Sequence, residues 1–359
     1  MDNNELKNKL IFDFDPNSVG VSGKLFGLPF DETHSEIVLI PVPWEVTVSY
    51  SAGTADGPEA ILNASTQVDL HVNEIPEAWK LGISMLPIPE DLKNENNKYR
   101  DLAAKYIRFL ENNEVSDSDE EMKVIPQYIN EVCEKLNIYV ESTSKKLLKE
   151  NKMVGVVGGD HSTPLGLIRA LAKKHDSFGI LQIDAHADLR KAYENFVYSH
   201  ASIMFNALKL SQVKSLVQVG IRDLCEEEDR LISSFPKRII TYFDKKLKES
   251  VYKGNNWDKI TDSIISKLPG KVYISFDIDG LSPLYCPNTG TPVPGGLDFQ
   301  EAVYLIKKVA LSGRKIIGFD LNEVAPGQDE WDANVGARLL YELCNWMAVS
   351  QQKLATTAQ

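Results

Sequence analysis

Four short segments place carboxylates and imidazoles directly behind apolar, β-branched runs. They are Gly158-Gly159-Asp160-His161-Ser162 after residues 153–157, Asp184-Ala185-His186-Ala187-Asp188 after 179–183, Asp277-Ile278-Asp279-Gly280 after 271–276, and Asp320-Leu321-Asn322-Glu323 after 315–319. Residues i, i+2 and i+4 of an extended backbone point the same way. Asp184, His186 and Asp188 are therefore expected to converge, and Asp277 with Asp279 likewise. With His161 the set holds four carboxylates and two imidazoles. So many carboxylates cannot meet in a dry cleft unless cations neutralise them. Two divalent ions meet that need, each taking one histidine and sharing bridging carboxylates. Oxygen-rich ligation with one imidazole per ion suits Mn²⁺, and Ni²⁺, Fe²⁺ and Zn²⁺ are compatible with the same ligand types. A lone Asp-X-Asp or a lone strand-end histidine is usually structural; the ordered set is what makes this pattern specific. His161, His186 and His200 fall within 40 residues, whereas His34, His71 and His175 lack such partners and read as surface groups.

The elements that must position these residues are legible as apolar runs alternating with helical patterns. Strands are expected at 36–43, 153–157, 179–183, 216–219, 238–242, 271–276 and 315–319. Helices are expected near 59–65, 98–112, 125–151, 164–174 and 201–208. Continuous apolar strands between helices indicate a parallel α/β sheet covered on both faces, and such sheets bind ligands beyond the carboxyl ends of their strands. Residues 1–35 are polar and read as an N-terminal arm. Residues 36–350 form one domain interrupted by a hydrophilic surface excursion at 89–124, with an acidic knot at Asp117, Asp119, Glu120 and Glu121. Residues 351–359 are a C-terminal tail.

The 359 residues are 43% hydrophobic and 25% charged, the composition of an ordinary globular chain. Lys and Arg number 39 against 51 Asp and Glu, a net charge of −12. Nucleic acid is not an expected partner, because phosphate neutralisation needs clustered cations. No apolar run is long enough to span a membrane, and no leader pattern precedes the first strand. Cys133, Cys225, Cys286 and Cys344 are dispersed, which fits a reducing, cytoplasmic setting.

As an ordered set, GGDHS, DAHAD, SFDIDGLSP and FDLNEVAP resemble the ureohydrolase superfamily of arginases, agmatinases, formimidoylglutamases and guanidine hydrolases. The resemblance spans about residues 36–343. It implies a three-layer α/β/α fold around a central eight-stranded parallel sheet, a binuclear metal centre usually of manganese, and homotrimers or homohexamers. Carried onto this chain, it makes His161 and Asp188 ligands of one metal, His186 and Asp279 ligands of the other, and Asp184 and Asp277 the bridges. His200 is similar to a flexible proton-shuttling histidine. Glu323 matches the glutamate that receives the guanidinium, and Thr289 and Thr291 belong to a loop resembling the cleft lining beside it.

The chemistry implied is hydrolysis of a guanidino C–N bond by hydroxide shared between two divalent cations, which depress the pKa of bound water. Glu323 would hold the planar guanidinium in a bidentate pair, while Asp279 relays a proton and His200 exchanges protons with solvent. Urea would leave with an amine or ammonia. Arginases read the amino-acid end of their substrate through two acids near an Arg-Asp-Val-Asp-like segment. Here Arg222-Asp223-Leu224-Cys225 keeps Asp223 and puts Cys225 at the second place, which argues against arginine. The stretches 41–58 and 319–340 resemble the guanidine hydrolase branch, some of whose members are nickel-dependent; Trp44 or Trp331 at the mouth would suit a small substrate, and core packing is the equal alternative for both. The expectation is guanidine or a short guanidino compound, with agmatine as the alternative. A metal-binding relative without catalysis would be missing a ligand, and none is missing.

Overall fold

The computed structural model describes residues 3–112 and 120–357 and is built on one sheet of eight parallel strands. These are β1 (Ile37–Val42), β2 (Ile83–Met85), β3 (Met153–Gly158), β4 (Phe178–Ile183), β5 (Val213–Ile221), β6 (Ile239–Phe243), β7 (Lys271–Asp277) and β8 (Lys315–Asn322). Their spatial order is β2-β1-β3-β8-β7-β4-β5-β6. The last two strands of the chain thus enter between β3 and β4, so the four segments with chemistry end on four adjacent central strands. In register, Val157 lies beside Leu321, Asp277 beside Asn322, and Ile183 beside Phe276.

Alternate strand residues face two separate apolar layers, as a pleated sheet covered on both sides requires. Ile37 and Leu39 pack with α2 (Gly57–Ala64), α8 (Asp244–Tyr252), α9 (Trp257–Ile265), α10 (Phe299–Leu311) and α11 (Trp331–Ser350). Val38, Ile40 and Val42 pack with α3 (Glu90–Glu111), α4 (Glu120–Lys149), α5 (Leu165–Lys174), α6 (Ile203–Leu208) and α7 (Glu226–Ser234). The three-layer α/β/α architecture expected from the sequence is the one observed.

Differences from the sequence reading have local causes. The edge strand β2 is three residues long, too short to show a pattern. The helix expected at 98–112 begins at Glu90, directly after the extended Pro89, with Glu90 and Asp91 in the first turn against the positive end of the helix dipole. Within residues 1–35, α1 (Asn3–Asp13) has no buried residue, but Leu25, Phe26, Leu28 and Phe30 are packed in the core. Of the acidic knot, Asp117 and Asp119 lie outside the described residues. Among the described residues no helix is long and apolar enough to cross a membrane. All four cysteines are free thiols.

Candidate metal centre and cleft

The first support of the site is backbone closeness at the end of β3. A Cβ on Gly159 would lie 2.1 Å from the Trp44 carbonyl oxygen, so only glycine lets the next residues pass under the β1 loop. His161 follows with its ring fully buried. Its Nδ1 faces Asp184 Oδ2 at 3.0 Å, Asp188 Oδ2 at 3.0 Å and Asp277 Oδ2 at 3.3 Å. Its Nε2 lies 2.9 Å from Ser275 Oγ, and Ser275 in turn donates to both oxygens of buried Asp320 at 3.0 and 2.9 Å. Since the Ser275 proton goes to a carboxylate, Ser275 Oγ accepts from Nε2–H, and Nδ1 is left to the three aspartates.

His186 is the second imidazole, with its Nδ1 2.9 Å from Asp279 Oδ2 and 3.8 Å from Asp184 Oδ1. Potential ligand atoms of His161, Asp184 and Asp277 lie within 4.8 Å of one another, as do those of Asp184, His186 and Asp279. Asp184 belongs to both groups, and Asp188 joins the first through His161.

The backbone does not reach this arrangement by the extended parity expected from sequence. Ile278–Gly280 is a turn of 3₁₀ helix, and Asp188 is left-handed with φ 55°. Instead each motif closes on itself: Asp184 Oδ1 accepts from His186 N–H at 2.6 Å, and Asp277 Oδ1 accepts from Asp279 N–H at 2.9 Å. A carboxylate at a strand end that captures the second amide beyond it aims its other oxygen into the cleft.

The electrostatics test whether these residues fit a cation. Burial, then the Asp188 and Asp279 charges, push the Asp184 carboxyl up to about 7. Burial with Asp279 and Asp184 holds Asp277 well above the usual carboxylate range. Burial disfavours the charged imidazole of His161, yet Asp184, Asp188 and Asp277 outweigh it and hold the ring well above its ordinary pKa. For His186 the same contest, won by Asp279, gives about 10. Burial raises Asp279 but His186 and the Ala185 N–H, which donates to Oδ1 at 2.9 Å, bring it down to about 2. A single proton on His161 Nδ1 can serve only one of three facing carboxylates. Cations of higher charge satisfy the set, and this donor set fits two of them.

The cleft above has a volume of about 180 Å³ and is lined by residues that include Ser49, Tyr193, His200, Asp223, Thr291 and Glu323. Glu323 has φ 64°, is fixed by its own N–H to Gly159 O at 2.8 Å, and accepts from His161 N–H through Oε1 at 2.8 Å. Burial, Asp277 and Asp160 hold its carboxyl well above the ordinary value. His200 begins a 3₁₀ turn capped by Ser199, and burial with the neighbouring imidazoles and Arg100 lowers its pKa to about 4, so the ring is neutral at pH 7. Asp223 stands at the mouth, 3.9 Å from His186 Nε2.

The structure does not bring every sequence candidate to the cleft. Trp44 is 1% exposed and packs on Tyr99 with ring centroids 6.4 Å apart, because it turns into the layer of α3 and α4. Thr289 donates to the Glu323 carbonyl at 2.8 Å and so supports the cleft from behind. Trp331 is half-exposed and donates to Leu284 O.

The sequence model of the Arginase family matches residues 35–345. The chain belongs to the Arginase family. It is therefore a ureohydrolase, a hydrolase of C–N bonds in guanidino groups. It is 30% identical over 322 residues to an N(1)-aminopropylagmatine ureohydrolase of Synechocystis sp., covering 88% of this chain and 90% of the relative. An agmatinase of Bacillus anthracis is 28% identical, covering 87% and 91%. Among solved structures, the agmatine ureohydrolase of Thermoplasma volcanium superposes with a TM-score of 0.66 at 22% identity, covering 96% of this chain and 99% of that one.

Three supports of this Arginase-family cleft escape sequence reasoning. Glu45 Oε2 accepts from Gly53 N–H and Thr54 N–H, both at 2.7 Å, and from Ala55 N–H at 3.3 Å, closing the loop that presents Ser49. Glu228, buried at the start of α7, accepts from Leu189 N–H and Cys225 N–H at 2.9 Å each. Its spacing of three from Cys225 is that of a capping box, the one sequence signal available. Ser275 is the third, and a serine within an apolar strand carries no periodic signature.

Proposed function

We propose that this ureohydrolase cleaves a linear guanidino compound bearing a second cationic group, of the agmatine type, and releases urea. The observation that carries the reading is a pair of carboxylates lining one cleft. Glu323 is buried in it, and Asp223 is at the mouth with a side chain 67% exposed. A guanidinium suits the first and a terminal ammonium the second. The relatives named for agmatine and N(1)-aminopropylagmatine support the same class. Guanidine itself, giving urea and ammonia, is the second reading. It is favoured by the small cleft volume and by Arg190, which lies over the Tyr193 ring at 4.7 Å and narrows the mouth.

Two divalent ions are assigned to the cluster, Mn²⁺ first and Ni²⁺ as the alternative. His161 and Asp188 would hold one ion, His186 and Asp279 the other, with Asp184 and Asp277 shared. Bound there, such ions lower the pKa of water and supply a nucleophile near neutral pH. Glu323, with Oε1 already accepting from His161 N–H, orients the guanidinium in the plane its two oxygens define. His200, neutral at working pH, can take a proton from the cleft and pass it to the leaving nitrogen or to solvent. Asp279 is positioned beside His186 to relay a proton inside the cluster. A homotrimer or homohexamer is the proposed assembly, which light scattering checks.

The test is urea release from agmatine, guanidine, arginine and formimidoyl-glutamate after loading with Mn²⁺ and, separately, Ni²⁺. Agmatine is expected to be turned over fastest. Faster turnover of guanidine would favour the second reading, and no turnover of any compound in either form would refute both.

A further inference from the structure

The loop that carries His200 makes a tight turn before it reaches the histidine. Tyr193 N–H donates to Phe196 O at 3.1 Å and Phe196 N–H donates back at 2.8 Å. The two residues between them, Glu194 and Asn195, both have positive φ, 51° and 65°. That is the geometry of a two-residue hairpin turn, which prefers glycine or asparagine in both central places. Glu194 is a poor residue for it, so surrounding contacts must over-determine the turn.

Those contacts come from α3 and α4. The Asn130 side chain on α4 donates through Nδ2 to Asn195 O at 3.1 Å and accepts through Oδ1 from Val197 N–H at 2.7 Å. The Asn195 side chain donates to the Tyr106 hydroxyl on α3 at 2.7 Å. The Tyr106 ring stands edge-on to the buried Phe196 ring at 5.7 Å. Arg169 on α5, held by Glu134 of α4 at 2.8 and 2.9 Å, lies over the Tyr198 ring at 5.7 Å. The His200 side chain has few contacts of its own, a 3.4 Å approach of Nδ1 to Ser199 Oγ and the edge of Tyr193 at 6.1 Å. Its backbone sits in the 3₁₀ turn, where His200 O accepts from Ile203 N–H and Ala201 O accepts from Arg190 N–H at 3.1 Å. The hairpin turn sets the approach of the chain to that 3₁₀ turn and the place of the Tyr193 ring against the imidazole.

We propose that α3, which lies in the stretch 89–124 that reads in sequence as a solvated excursion, and α4 together clamp the turn at 193–197 and thereby position His200, with Asn130 of α4 as the principal positioning residue. The proposal rests on the reading of His200 as the proton carrier. Asn130 reaches the chemistry only through the loop. Its loss is therefore expected to change the loop's opening and the turnover rate, and to leave the metal cluster and Glu323 undisturbed.

The experiment compares Asn130→Ala, Tyr106→Phe, His200→Ala and the Asn130→Ala/His200→Ala double variant as full-length, Mn²⁺-loaded proteins. Tyr106→Phe keeps the ring contact with Phe196 and removes only the hydroxyl, so it tests the clamp without threatening the fold. Hydrogen exchange of amides in residues 193–199 is expected to speed up about tenfold in Asn130→Ala and less in Tyr106→Phe. Metal content should stay at the wild-type value. With agmatine or guanidine, whichever the wild type turns over, kcat should fall about tenfold in Asn130→Ala with KM within about twofold. The double variant should be no slower than His200→Ala alone, since the two residues act in series. Unchanged exchange and kcat in Asn130→Ala, beside a slow His200→Ala, would overturn the clamp and spare the His200 reading. A full-speed His200→Ala would refute the His200 reading, and with it any functional role for the clamp. Additive losses in the double variant, or loss of metal in Asn130→Ala, would show that Asn130 acts elsewhere.

Discussion

At the floor of the cleft, carboxylates at strand ends are tied to amides two residues away. Asp184 holds His186 N–H and Asp277 holds Asp279 N–H, and the imidazole of His161 is braced from behind by Ser275 and Asp320. At the rim, Arg190 and the turn before His200 depend on side chains from distant elements: Glu228 on α7, 3.9 Å from Arg190 Nε, and Asn130 on α4 with Tyr106 on α3. The floor is buried and built on adjacent strands of the sheet, each motif closed by its own short-range turn; the rim is half-exposed and held by side chains from the covering helices. On the proposed function, the difference separates what would fix the reaction class from what would tune substrate and rate. Charges at the floor have no solvent to fall back on, whereas rim contacts compete with water.

The contrast is most directly broken at the floor. Asp184→Ala removes the carboxylate common to both ligand groups and is expected to abolish urea release and strip metal, read by metal analysis beside the activity assay. Retention of both would mean that Asp184 is not shared. Next, His200→Ala should slow turnover about 10²-fold while metal content holds, and metal loss in this variant would erase the distinction between rim and floor. Ser275→Ala should weaken metal binding about tenfold, visible in competition with a chelator, by freeing the His161 ring. At the outer edge, Asp223→Asn is expected to raise KM for agmatine a few-fold and leave KM for guanidine unchanged, the scale of one exposed charge pair. Equal effects on both substrates would deny Asp223 a role in reading the tail.

A pH experiment sharpens the same comparison without substrate. Burial and neighbouring acids raise Asp184 to about 7, and burial with Glu111 raises Glu194 to about 7, while Asp277 and Glu323 are held well above the ordinary range. These groups keep protons in the folded state that the unfolded chain releases above about pH 4, so metal-free stability should fall as pH rises from about 4 to about 7. His175 and His200, both lowered to about 4, act in the opposite direction over part of that window and are outnumbered. Metal binding requires the deprotonated acids and should reverse the slope. Thermal melting of both forms across pH checks this. A metal-free form that stabilises as pH rises would contradict the electrostatics of the floor.

Much of this was legible before the structure. Strands β1, β3, β4, β7 and β8 are continuous apolar runs, and each of the last four announces its acidic end, because a buried parallel strand has no polar face to blur the pattern. The anchor Leu25–Phe30 was hidden in a polar stretch, since burial there is decided by α11 and the 65–79 segment far along the chain. Trp44 packs in the layer of α3 and α4, the core alternative rather than the mouth, and the sequence leaves the two open for the same reason: one-dimensional order does not say which layer a residue leaves the sheet to join.

The sequence by itself determined the fold class and the metal-type cluster, and it pointed to Glu323 as the acid proposed to meet the guanidinium. All of these are local to strand ends, where short spacing dictates geometry. Only the tertiary structure decided that β7 and β8 enter between β3 and β4, which brings the four motifs together, and that Asp184 belongs to both ligand groups. It also decided that α3 and α4 reach the turn before His200, because Asn130 and Val197 are 67 residues apart in sequence and meet only once the layers have packed.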